Sequence, residues 1–168
     1  MKFHLLGMSR KLLAGIAVLV LALPVVALAA HPERPYKGSC STVVTPLSPP
    51  GPVQQLRIDS DCTLAHLGRT TAVAYQVVTI TGQSGATLTA NIENTATYTA
   101  ANGDQLFTEF IGTAVIDLST GEVTYIGAET FTGGTGRFAD ATGSDRLQGT
   151  ASIFTNRGFF TVSGKIAY

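Results

Sequence analysis

Residues 86–100 read ATLTANIENTATYTA, and the repeat of two in this stretch sets the class of structure to expect. Leu88, Ala90, Ile92, Ala96 and Tyr98 take one face, interrupted only by Asn94. Thr87, Thr89, Asn91, Glu93, Thr95 and Thr97 take the other. Such alternation describes a strand with one buried and one wet face. Upstream, TTAVAYQVVTI (70–80) is dense in the β-branched residues that strands favour. Downstream, QLFTEFIGTAVIDL (105–118), GEVTYIGAETF (121–131), RLQGTASIFT (146–155) and GFFTVSGKIAY (158–168) continue the pattern.

Between these runs stand TGQSG, AANGD, LSTGE and TNRG, whose Gly, Asn, Asp, Ser and Thr suit hairpin turns. Strands this long expose edges in a small open sheet, and closure removes them. The expected fold is therefore all-β, an up-and-down antiparallel β-barrel, with a β-sandwich as the alternative. Gly112, Gly127, Gly149 and Gly164 fall inside strand-like runs, where glycine marks the bends of a small barrel.

The first residues read as a leader. Lys2, Arg10 and Lys11 precede an uncharged run from Leu12 to Leu28, and Ala27-Leu28-Ala29 is an A-x-A cleavage site. Residues 1–29 are thus expected to be a signal peptide cut near Ala29, with no stable membrane insertion afterwards. The expected location is secreted or periplasmic, in a bacterium. Loss of Lys2, Arg10 and Lys11 changes 11 basic and 11 acidic residues to 8 and 11, a net charge of −3. That balance argues against nucleic acid as a partner and against anionic membrane surfaces.

Cys40 and Cys62 are the only cysteines, and in an oxidising compartment an even pair reads as one disulfide. The stretch from residue 30 to residue 52 contains HPERPYKGSC and TPLSPPGP, and reads as a loose Pro-rich segment tethered by that bridge. The barrel domain is then expected over residues 53–168.

The stretch FTGGTGRFADATGS (131–144) raises the question of phosphate binding. A P-loop needs Lys and Ser/Thr after its glycines and a helix to follow, whereas Arg137 and Phe138 come next here. A structural corner uses the residues better. Gly133, Gly134, Gly136 and Gly143 permit tight backbone, Phe138 plugs the barrel end, and Arg137 is expected to pair with Asp140 or Asp145.

GGTGRFADATG resembles the G-G-T-G-x-F-x-x-A-x-G stretch of plant dirigent proteins, and the related allene oxide cyclases carry a looser version. With AHLGRTT (65–71), ANGDQLF (101–107) and GKIAY (164–168), the chain from Cys62 to Tyr168 resembles small exported bacterial proteins described as allene-oxide-cyclase-like or dirigent-like barrels. The resemblance implies eight antiparallel strands around a largely apolar cavity, and a homotrimer as the plausible assembly. The family's cavity residues do not map onto this sequence position by position.

Candidate site residues come from the strand faces. Glu129 shares a face with Val123, Tyr125 and Phe131, so an inward register puts a carboxyl in an apolar pocket, while a one-residue slip puts it in water. Tyr75, Tyr98 and Tyr125 are candidates for the cavity wall, and Asn94 for a polar group within it. Glu129 is the one candidate for catalysis. Only His31 and His66 follow the leader, and no acidic cluster has ligand spacing, so no metal and no cofactor are expected. Three functions stay open. The favoured one is binding of a small apolar or aromatic ligand. The others are a cyclase or isomerase acting on a reactive apolar intermediate, and a packed structural or interaction protein of the envelope.

Overall fold

In a computed structural model, residues 31–168 are described, and the leader expected over residues 1–29 lies outside the described residues. Eight strands follow one another: β1 (Arg34–Pro46), β2 (Val53–Leu64), β3 (Gly68–Ser84), β4 (Thr87–Ala100), β5 (Gln105–Asp117), β6 (Glu122–Gly134), β7 (Thr142–Ser152) and β8 (Arg157–Ala167). Each pairs antiparallel with its neighbours, and β1 also pairs with β8. The sheet has no free edge, which excludes the two-sheet sandwich. The alternation read in residues 86–100 holds: Ala90, Ile92, Ala96 and Tyr98 are buried, while Asn91, Glu93 and Thr95 are exposed.

The Pro-rich segment departs from expectation. Arg34–Pro46 is the first strand, so the barrel begins at Arg34 rather than Val53. The prolines obey the usual constraint, with Pro35 and Pro46 at the ends of β1 and Pro49, Pro50 and Pro52 in the loop after it. Between them Tyr36, Cys40 and Thr42 point inward and are buried. Cys40 and Cys62 stand directly opposite on β1 and β2 and form the disulfide.

Strand tilt sets the depth of every inward side chain. Cross-strand partners run Tyr36, Gly164, Asp145, Glu129, Phe110, Asn94, Gln76, Leu56 and Pro46, returning to β1 ten residues along from where they began. This row therefore descends from Pro46 at one end of the barrel to Tyr36 at the other.

The end near Tyr36 is closed by the corner that the GGTGRF stretch builds. Gly136–Phe138 forms a single 3-10 turn between β6 and β7. Gly133 and Gly136 have φ of 111° and 57°, left-handed values that glycine adopts without the clash of a side chain. Phe138 is fully buried, with its ring 4.9 Å from that of Tyr168. Burial of a side chain of this size is worth about 1.5–3 kcal/mol. Arg137 pairs with neither Asp140 nor Asp145. Its guanidinium donates to the His66 carbonyl at 2.7 Å and lies 3.6 Å from the Asp104 carboxylate. Asp145 is unreachable from the rim because the period of two in β7 turns it inward with Leu147.

Candidate functional site

Above the plug, the lumen is a cavity of about 280 Å³. Its walls are mostly aliphatic, with Leu56, Ile58, Ala74, Ile92, Ala96 and Ala114 among them. The small residues matter, because Ala74 and Ala96 face each other across β3 and β4, where larger side chains would fill the space. Two glycines also keep it open. Gly112 and Gly127 pair across β5 and β6, and a methyl at Gly127 would come within 2.6 Å of both the Phe110 ring and the Gly112 Cα. The Phe110 ring occupies the room they leave along the wall.

The loops at the open end are residues 47–52, 85–86, 118–121 and 153–156, and none holds a charged residue. Leu47, Leu118, Ile153 and Phe154 are exposed there. The opposite end carries Asp104, Arg137 and Asp140 in its loops. The charged residues at the open end, Asp117, Glu122 and Arg157, stand at the strand ends rather than in the loops.

Polar groups are few and follow the descending row. Halfway down, the Asn94 amide donates to the Gln76 side chain at 3.4 Å. At the inner end stands Glu129, 1% exposed. Its Oε1 accepts a hydrogen bond from Thr108 at 2.7 Å and another from the Tyr98 hydroxyl at 3.1 Å. Tyr125 lines the cavity nearer the mouth and donates to the Phe159 carbonyl at 3.4 Å, and burial pushes its pKa up to about 12.

Four of the expected residues thus meet in one cavity: Asn94, Tyr98, Tyr125 and Glu129. Tyr75 does not join them. It is 55% exposed on the outer wall, where its hydroxyl receives a bond from Arg57 at 3.2 Å. The alternation of β3 explains this, since Ala72, Ala74 and Val78 take the inward positions and leave Tyr75 outward.

Two residues of the inner end escape a reading of the sequence. Asp145 is the cross-strand partner of Glu129 and is 5% exposed, and Tyr36 is 1% exposed. Neither Asp145 oxygen nor the Tyr36 hydroxyl has a partner among hydroxyl, amide or cationic groups. Among the described residues, no Lys, Arg or His forms an ion pair with Glu129 or Asp145. Two carboxyls thus sit side by side, buried and without a cationic partner among the described residues.

Burial and mutual repulsion set the direction in which both titrate. Burial raises the pKa of Asp145, and the neighbouring charge of Glu129 raises it further. Burial also raises Glu129, but hydrogen bonds from Thr108, Tyr98 and Asp145 act in the opposite sense. Both carboxyls are thus raised by burial, and two charges side by side are disfavoured, so the pair holds one proton between them. Tyr36 and Tyr98 stay neutral, pushed well above the ordinary tyrosine value by burial and then by the charge on Glu129. Glu129 presents the dyad to the lumen, with Asp145 and Tyr36 outside the cavity lining.

Compared with protein families, curated proteins and solved structures, the chain matches none.

Proposed function

We propose that this protein is an exported β-barrel that binds a small apolar or aromatic ligand in its lumen. The observation that carries this reading is the cavity of about 280 Å³, aliphatic along its walls and reached through loops free of charge. Apolar hollows with a few convergent polar groups are the common form of small-molecule sites. Export is supported by the leader-like sequence of residues 1–29 and by the Cys40–Cys62 bridge, which suits an oxidising compartment. The resemblance of the GGTGRF stretch to dirigent-like and allene-oxide-cyclase-like barrels points the same way. Native mass spectrometry of protein recovered from the export compartment tests it. A bound small molecule, or uptake of a neutral naphthalene probe, is expected; failure of both would leave the packed structural or interaction protein.

A second reading, a dirigent- or cyclase-like isomerase, is favoured by Glu129. A carboxyl at the inner end of an apolar cavity, ordered by two hydroxyls, is placed to exchange a proton with a reactive intermediate. Turnover that vanishes in Glu129→Gln, with ligand binding retained, is the result it requires. The outer faces of β3 to β6 expose Val77, Ile111, Val115 and Ile126, which supports self-association as the homotrimer that the resemblance implies. Light scattering at micromolar concentration checks this, and a monomer mass contradicts it.

A further inference from the structure

We propose that the preferred ligand carries one protonated amine on its apolar body, and that the ammonium docks on Glu129 at the inner end of the lumen. This rests on the cavity-binding reading above and names the chemical class that the cavity selects.

Three independent observations converge. The first is charge without compensation. Glu129 and Asp145 are adjacent, buried and free of any ion pair among the described residues. A single proton between them leaves one negative charge, and the Thr108 and Tyr98 hydroxyls are aimed at the oxygens of Glu129 that would bear it. A buried charge is tolerated when it is paired, and here the pairing partner can come only through the lumen.

The second is unspent hydrogen-bonding capacity around that charge. Both Asp145 oxygens and the Tyr36 hydroxyl are buried without hydrogen-bond partners behind Glu129, outside the cavity lining, so Glu129 is the acceptor that faces the lumen. An ammonium has three donors and no acceptor, so it complements a group of acceptors better than a carbonyl or an ether does. A ligand carboxylate would add a second negative charge beside Glu129 and is disfavoured.

The third is the lining. Tyr98, Phe110, Tyr125 and Phe160 all present rings to the cavity. Aromatic faces attract cations, most strongly where water is excluded. A carboxylate at the end of a mostly aliphatic channel that also holds four aromatic residues is an arrangement suited to an alkyl- or arylmethyl-ammonium. Aliphatic side chains such as Ala74, Ile92 and Ala96 then surround its hydrocarbon part.

The test uses four probes of one shape: 2-naphthylmethylamine, 2-naphthylmethanol, 2-methylnaphthalene and 2-naphthoate, each titrated calorimetrically at neutral pH. The amine is expected to bind at least about tenfold tighter than the alcohol and the hydrocarbon, a difference of about 1.4 kcal/mol, with the carboxylate weakest. Glu129→Gln is expected to abolish the amine's advantage while hydrocarbon binding persists, which also shows that the variant is folded. If that variant does not fold, the ratios in the unmodified protein decide. Equal binding of amine and hydrocarbon, or preference for the carboxylate, overturns the amine assignment and leaves the cavity reading standing. Failure of all four probes overturns both.

Discussion

Replacing Asp145 with Asn should remove a pH dependence of stability that the unmodified barrel carries above the ordinary carboxylate range. In the folded state Asp145 is raised by burial and by the charge on Glu129, so it keeps a proton that the unfolded chain releases. A carboxyl whose folded pKa is raised gives its full contribution below the unfolded pKa. That contribution declines as pH climbs toward the folded value. One retained proton corresponds to a slope of about −1.4 kcal/mol per pH unit, so from about pH 5 to about pH 7 the barrel should lose about 2.7 kcal/mol. The groups facing the dyad do not blur this window. Tyr36 from β1 and Tyr98 from β4 are raised far above it, Thr108 from β5 does not titrate, and no cation is ion-paired there among the described residues. Asp59 and Asp117 are lowered, by hydrogen bonds chiefly from Arg57 and Ser119, so their windows lie below the ordinary carboxylate range. Urea unfolding at several pH values, extrapolated to water, reads the slope directly. Asp145→Asn should flatten most of it, with Glu129 alone left to titrate. A flat profile in the unmodified protein, or the same slope in the variant, would refute a shared proton at this place.

Removing the disulfide with Cys40→Ala and Cys62→Ala frees a 22-residue separation and should cost about 3 kcal/mol by chain entropy, read as a lower denaturation midpoint. Gly127→Ala forces a methyl against the Phe110 ring and the Gly112 backbone, and should destabilise by about 1–3 kcal/mol in the same assay. Arg137→Ala removes the bond to the His66 carbonyl and a half-exposed ion pair with Asp104, so about 1 kcal/mol is expected, with ligand uptake unchanged at the far end of the barrel. Ala74→Phe should fill the lumen and abolish uptake of a naphthalene probe while the far-ultraviolet spectrum stays that of the parent.

The barrel itself was legible because most strands bury one face only, so hydrophobic alternation marks both the element and its orientation. In β6 it put Glu129 on one face with Val123, Tyr125 and Phe131 but did not choose between the inward and outward register, which the closed sheet decides. Tyr75 shows where that signal weakens. In β3 both faces carry apolar residues, with Val77 39% exposed outside and Val78 buried inside, so composition alone does not choose a face. The first strand was hidden because proline density around residues 32–52 reads as irregular chain, although the prolines sit only at its ends and in the loop that follows. Asp145 was hidden for a different reason. Its pairing with Glu129 is a matter of register between β6 and β7, set by the length of the Gly136–Phe138 corner, and local sequence does not encode that. The period of two in GSDRLQG, with Leu147 and Gly149 two and four residues on, was the one available signal.

The proposed function requires the lumen, and not the outer wall, to receive a small apolar molecule. Methyl-resolved NMR during a titration with 2-methylnaphthalene tests it most directly, because alanine and isoleucine methyls report on both surfaces. Saturable shifts and ligand contacts are expected at Ala74, Ile92, Ala96 and Ala114, with the exposed Ile111 and Ile126 unmoved. Shifts confined to Ile111 and Ile126, or none at saturating probe, would contradict it.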